Sequence, residues 1–425
     1  MGTTAVAARC LIVAYYFPPT GGGGVQRVTK FIKYLAREGW SFTVITSSEP
    51  ENLPRDNTLA DDLPEDTRVL SIPIKEKPGL FGRLRALIRG GFIQRWLAGF
   101  FFFPDSRRGW ARYAERFVHG LCHREDFDLV FISAPPYSLA QTAARLTRRL
   151  SIPVVLDMRD PWSTNPYKIY PTPVHRYIDK RLEKKSLSVI KYGVSAYASF
   201  IDYLHEGLGI TNTWIHIANG YDEDDFRDLQ PITLEENCFH LAFSGTFYSH
   251  LNDPRLLFSL FAELKKKYPE SYRRLRFHHL GQSIPDMDAL ARKAGCASVV
   301  DRRGYQDHRR ALNILAAMDA FCMILDPAHP LAGNTIGGKV YEYLRLGRPI
   351  LALIPEQGEA AALLRETGGH SIVNPHNREK AVGALHALIS RAGSKTKAAG
   401  TDAPHQRRLQ AKKLHEFFRS LIDKK

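Results

Sequence analysis

Cysteine is scarce in this chain: five residues in 425, spread as Cys10, Cys122, Cys238, Cys296 and Cys322 with no C-x-x-C pair. That argues against a disulfide framework and fits reduced thiols in a cytosolic enzyme. Long apolar runs are missing as well. The longest, near "WLAGFFFF", is about 8 residues, against the roughly 20 needed to span a bilayer. The opening residues lead almost directly into a strand, so no secretory signal is expected. Val6 stands where a myristoylation signal wants Ser or Thr. Acidic charge is deficient: 44 Asp and Glu face 59 Lys and Arg, a net charge of +15. Such an excess favours a polyanionic partner, whether nucleic acid, an acidic membrane surface or a phosphorylated ligand. No DNA- or RNA-binding motif occurs, so nucleic acid is not expected.

Two nucleotide fingerprints are also lacking. The stretch "LIVAYYFPPTGGGGVQRVTKFIKYL" (11–35) reads as strand, glycine-rich loop and helix. A dinucleotide fold would need G-x-G-x-x-G, but Arg27 or Gln26 falls where the third glycine belongs. The next strand, "FTVITSS", ends in Ser47 and Ser48 rather than an acid for a ribose. No G-x-x-x-x-G-K-[ST] loop occurs. What survives is physical. Gly22, Gly23 and Gly24 allow close backbone approach and positive φ, and the following helix offers free N–H groups to negative charge.

Strand-like and helix-like segments alternate throughout. "CLIVAYYF", "FTVITSS", "DFDLVFISAPP", "IPVVLDMRD", "KYGVSAYAS" and "TWIHIANG" fill the first half. "FHLAFSG", "RLRFHHLG", "ASVVDRRGY", "DAFCMILD", "RPILALI" and "HSIVN" fill the second. This alternation predicts parallel sheets with right-handed crossovers. The pattern lapses into polar sequence near 222–238, which predicts domains at 1–230 and 231–390 with a cleft between them. Residues 391–425 then read as a connector and an amphipathic helix expected to pack back on the first domain. Residues 81–112 mix arginines with aromatics around a single acid, Asp105. They read either as a segment lying on an anionic membrane or as an ordinary helix pair. "HGLCH" (119–123) has metal-ligand spacing but no evident third ligand, so no metal is expected.

Taken in order, these motifs resemble glycosyltransferase family 4 with the GT-B fold. "YYFPPTGGGGVQRVTKFIKYLAREGWSFTVIT", "FFPDSRRGW", "ISAPPYSLA", "DMRDPW" and "NGYDEDDF" carry the resemblance in the first half. "GYQDHRRALNILAAMDAFCMIL" and "GGKVYEYLRLGRPILALI" carry it in the second. The resemblance implies an α/β protein of two Rossmann-like parallel-sheet domains facing each other across a cleft. It implies sugar transfer from a nucleotide diphosphate sugar to a lipid-linked or saccharide acceptor, with retention. It implies no cofactor and no metal, and work in the cytoplasm at the inner face of the membrane.

Residue roles follow from it. Glu342 would take the ribose hydroxyls. Gly337, Gly338 and Lys339 would meet the diphosphate. Gly245, Thr246, His250, Tyr305 and Asn334 complete the expected donor site, with Gly22, Gly23, Gly24 and Arg27 lining the other wall of the cleft. Asp157, Arg159 and Asp160 would bind the acceptor or move its proton; a structural ion pair is the competing reading. The chain departs from the family twice. Thr246 and Asn252 stand where many members carry Arg and Lys, with His250, Arg255 or Lys339 as substitutes. Asn334 replaces the first glutamate of E-x7-E, leaving Glu342 as the second. A nucleotide-sugar 2-epimerase-like isomerase and a non-catalytic nucleotide-sugar binder are the alternatives.

Overall fold

The computed structural model describes residues 8–48, 55–73, 103–391 and 404–423. The chain forms two compact units, residues 1–219 with 407–425 and residues 220–406.

Unit 1 is built on a seven-stranded sheet: β1 (Ala8–Ala14), β2 (Trp40–Ser47), β3 (Arg68–Ile72), β4 (Leu129–Ala134), β5 (Val154–Met158), β6 (Tyr192–Ser195) and β7 (Thr213–His216). Its order is β3-β2-β1-β4-β5-β6-β7, and every pairing is parallel. Cys10, Leu11, Ile12 and Val13 are all buried, so both faces of β1 are covered. That is why the strand reads as an unbroken apolar run. Helix Gly23–Arg37 covers one face with Val28, Phe31, Ile32 and Leu35.

Helix Arg407–Ile422 belongs to the same core. Ala411, Leu414, Phe418 and Leu421 recur at helical spacing and are buried with β1 and β2. Phe418 meets Trp40 and Phe131 edge-on, each at 5.4 Å, and the Trp40 indole N–H bonds His415 Nδ1 at 3.1 Å. Burying a side chain such as Phe418 or Leu414 stabilises by about 1.5–3 kcal/mol.

Unit 2 carries β8 (Phe239–Ser244), β9 (Leu275–Leu280), β10 (Val300–Gly304), β11 (Ala320–Ile324), β12 (Ile350–Leu353) and β13 (Ser371–Val373). The order is β10-β9-β8-β11-β12-β13, again parallel in every pairing. In each sheet the order reverses at one point, between β1 and β4 and between β8 and β11. Open parallel sheets bind ligands beyond the carboxyl ends at such a point.

The units divide at Asn219/Gly220 rather than at 230. The acidic segment read as a linker is held within unit 2. Glu223 pairs with Arg345, Asp225 with His308, and the Arg309 guanidinium donates to the Asp228 carbonyl. At the other end, Tyr221 N–H donates to the His405 carbonyl at 3.1 Å. Of the predicted basic aromatic segment 81–112, residues 81–102 lie outside the described residues, as do 392–403 of the connector.

Candidate functional site

In unit 1, of the predicted catalytic residues, Asp157 lies within β5 and Arg159 and Asp160 follow it, and the glycine loop follows β1. Arg27 and Asp157 prove to be partners rather than ligand groups. Both are essentially inaccessible, 1% and 0% exposed. Arg27 Nη2 and Nε donate to Asp157 Oδ1 at 2.9 and 3.1 Å, and Ser133 Oγ donates to Oδ2 at 2.8 Å. The remaining guanidinium protons reach the carbonyls of Ile217 and Ala218 and Asn219 Oδ1. Every polar direction is used within the fold, so neither residue faces a substrate. This corrects the expected donor role of Arg27 and the expected catalytic role of Asp157.

Arg159 is a strut. Its guanidinium donates to the Gly24 carbonyl at 2.6 Å and to the Pro135 carbonyl. It thereby ties together the loops after β1, β4 and β5 at the reversal of strand order. A Cβ on Gly24 would lie 2.8 Å from Arg159 Nη1, so a side chain there would push the guanidinium aside. Gly22 has φ +121°, which side chains rarely adopt. Gly23 meets neither constraint. All three glycines are exposed at the loop surface. Asp160 differs from its neighbours. Its carboxylate forms no hydrogen bond or ion pair with another described residue. Burial pushes it above the usual carboxylate range, a shift opposed by Arg159 and reinforced by Asp157.

In unit 2 the carboxyl ends of β8 and β9 are knitted by backbone. The Gly245 N–H donates to the Leu280 carbonyl at 2.8 Å, and a Cβ on Gly281 would fall 2.2 Å from the Gly245 oxygen. Asn252, at one of the two positions where the family's cations are missing, is a staple of the loop after β8. It donates to the Thr246 carbonyl at 2.7 Å and accepts from the Tyr248 N–H at 2.9 Å. Arg255 is committed to Asp253, Nε to Oδ2 at 2.8 Å. His250 lies with its ring 6.3 Å from that of His329. Tyr305 is exposed in the turn before helix His308–Ala316. Asn334 ends a short 3-10 turn, Ala332–Asn334.

Lys339 and Glu342 come together at helix Val340–Leu346. That helix is pinned to the sheet where the Ser244 N–H, at the end of β8, donates to Tyr343 Oη at 2.7 Å. Glu342 is 5% exposed. Lys339 Nζ donates to its Oε1 at 3.0 Å, whereas its buried Oε2 has no hydrogen-bond partner. A buried carboxylate oxygen without a donor is costly and calls for one from outside. Cβ atoms placed on Gly337 or Gly338 would meet nothing within 4 Å, so space is open beside them.

His308 and Asp225 complete the cluster and were missed by the sequence reading. His308 Nε2 lies 3.1 Å from Asp225 Oδ2, and Nδ1 lies 3.5 Å from Lys339 Nζ and 3.9 Å from Glu342 Oε1. The signal was the histidine of "GYQDH" itself, inside a motif already noted.

The two units carry opposite pH signatures. Burial pushes His279 down to about 4; its ring bonds the Gly245 carbonyl and packs beside the stacked pair Phe243 and Phe247, with centroids 5.9 and 4.7 Å away. The native state therefore binds fewer protons than the unfolded chain below pH 6.5, and unit 2 loses stability as pH falls from about 6.5 through 4. In unit 1, burial pushes Glu183 up to about 7. There the native state holds the extra proton, so unit 1 loses stability as pH rises from about 4.5 through 7. Melting curves across this range should show Glu183→Gln flattening the neutral side and His279→Phe the acid side. Identical pH profiles for parent and variants would refute the assignment.

His119 and His123 face each other with Nε2 atoms 3.4 Å apart, and no third ligand joins them among the described residues.

Residues 22–217 match the family described as glycosyl transferase 4-like domain. No curated protein matches the chain by sequence. Among solved structures, sucrose-phosphate synthase from Thermosynechococcus elongatus is similar at 12% identity and TM-score 0.63, over 98% of this chain and 95% of that one. WaaG, a glycosyltransferase involved in lipopolysaccharide biosynthesis, is similar at 14% identity and TM-score 0.59, over 98% of each chain. A trehalose-6-phosphate structure from E. coli bound with UDP-2-fluoro glucose is similar at 14% and 0.59, over 98% of this chain and 96% of that one. At these identities the structural likeness establishes the fold, and the domain match adds the class of chemistry. Residues 22–217 therefore match a glycosyl transferase 4-like domain, and the chain has the GT-B fold along its length.

Proposed function

We propose that the protein moves a sugar from a nucleotide diphosphate sugar, held in unit 2, to a lipid-linked or saccharide acceptor in cell-surface polysaccharide biosynthesis. The observation that carries this reading is Glu342: a buried carboxylate with one oxygen on Lys339 and the other without a donor. One ribose hydroxyl supplies the missing donor to Oε2, and the second can share Oε1 with Lys339. Gly337 and Gly338 leave room for a diphosphate beside Lys339. The bond between C1 of the sugar and the diphosphate oxygen breaks, and charge grows on the leaving phosphate. Lys339, within reach of both Glu342 and that phosphate, stabilises the charge. The acceptor hydroxyl forms the new bond to C1 and gives up its proton to a basic oxygen, the leaving phosphate being one available acceptor. Retention, and the absence of any metal or cofactor, are part of the proposal and rest on the family resemblance. So does work at the cytoplasmic face of an anionic membrane, for which residues 81–112 were the sequence candidate. Among the described residues no helix is long and apolar enough to cross a membrane. The solved relatives support the substrate classes: one is bound with UDP-2-fluoro glucose and another serves lipopolysaccharide biosynthesis.

A panel of UDP-, GDP- and ADP-sugars tests the reading by thermal shift. At least one should raise the melting temperature of the parent and not of Lys339→Met. If none stabilises the parent, the transferase reading fails.

A further inference from the structure

Seven large hydrophobic side chains are exposed among the described residues, and three of them, Val174, Tyr177 and Ile178, share the first turns of helix Pro173–Leu187. Their exposures are 62%, 57% and 41%. At spacings of three and four residues they form one contiguous apolar patch.

The charges of this helix are sorted by side. Its only two acids, Asp179 and Glu183, point inward and are fully buried. Asp179 Oδ2 accepts from Trp162 Nε1 at 3.0 Å, Lys168 Nζ at 2.5 Å and Tyr170 Oη at 2.5 Å. Glu183 accepts from the Ser163 N–H at 3.2 Å and from Tyr203 Oη at 3.2 Å. Arg176, Lys180, Arg181, Lys184 and Lys185 are all exposed. A solvated helix ordinarily alternates signs at four-residue spacing. Here the outward face carries five permanent cations, a hydrophobic patch and no acid.

We propose that helix Pro173–Leu187 is a docking face for an anionic lipid surface. The apolar patch enters the headgroup boundary, and the long basic side chains lay their stems beside it while keeping charge among lipid phosphates. The occupant is a bilayer rather than an acidic protein because the apolar side chains sit within the cationic field instead of in a pocket-shaped contact. The inward acids give the face a purpose in the reaction. Trp162 and Ser163, which they hold, follow Asp160 by two and three residues. Docking this helix places the segment after β5 at the lipid surface. The acceptor is therefore a saccharide carried on a membrane-embedded lipid, an extension that rests on the glycosyltransferase reading; the docking itself does not.

Flotation of the full chain with phosphatidylcholine vesicles, with and without phosphatidylglycerol, tests this. The parent should float with the phosphatidylglycerol vesicles only, and less at high salt. Reversing Lys180, Arg181, Lys184 and Lys185 to Glu should lower the partition coefficient by roughly a hundredfold or more. Tyr177→Ser with Ile178→Ser should weaken the salt-resistant part. These positions are exposed, so circular dichroism and melting temperature should match the parent. The inference is overturned if the parent ignores anionic vesicles, or if the reversed variant floats as the parent does. Nucleotide-sugar binding, measured by thermal shift on the same variants, should be unchanged, which separates failure of the docking face from failure of the donor site.

Discussion

Glu342→Ala should weaken nucleotide-sugar binding at least ~30-fold while leaving the fold intact, because hydrogen bonds to a charged acceptor contribute about 2 kcal/mol. The empty protein gains little from this carboxylate: one oxygen has no donor, and the other meets a half-exposed lysine. Removing it takes away a desolvation cost, so the melting temperature without ligand should hold or rise. Thermal shift and isothermal calorimetry with the donor found in the panel read both quantities. A variant that binds the donor as tightly as the parent would remove Glu342 from the site. His308→Ala makes an informative companion. The histidine touches Lys339 and Asp225, so its loss frees Lys339 from one side and leaves the Glu342 carboxylate in place.

Asp157→Ala has the largest expected effect on stability. It strands the Arg27 guanidinium, 1% exposed, with three carbonyl-type acceptors and no counter-charge. Breaking a buried pair from one side costs about 3–5 kcal/mol. Asp157→Asn should cost less, since the amide oxygen still accepts from Ser133 or Arg27. Denaturant unfolding gives the number, and donor binding by unit 2 gives the control, which should persist under native conditions. A variant of parental stability that has lost transfer would instead return Asp157 to the chemistry.

The strands were legible because continuous apolar runs such as "CLIVA" mean burial on both faces, and both sheets have helices to provide it. The last helix was legible because Leu414, Phe418 and Leu421 keep a helical period. That Lys339 and Glu342 share the start of one helix was legible through their motif. Arg27 was not. An arginine just after a glycine-rich loop looks like an anion ligand, and its partner Asp157 lies 130 residues away. Nothing local distinguishes a cation facing solvent from one sealed against a distant carboxylate. The same limit moved the domain boundary. "YDEDDF" has the composition of a linker, but the cations that hold it, His308 and Arg345, come from the far side of the second sheet's sequence. Asn252 shows the converse. Read as a missing cation, it is a buried amide that shapes the loop after β8.

The return of helix Arg407–Ile422 to the first sheet orders events on the ribosome. Unit 2 is a continuous stretch, 220–406, inserted into unit 1. It can complete its core as soon as it has emerged. Unit 1, although synthesised first, must wait for residues 407–422 before Trp40 and Phe131 acquire their cover. During that interval the nascent chain presents an aromatic surface beside a finished domain, the kind of exposed hydrophobic region that holdase chaperones engage. The core of unit 1 is therefore complete only after the inserted unit has been made.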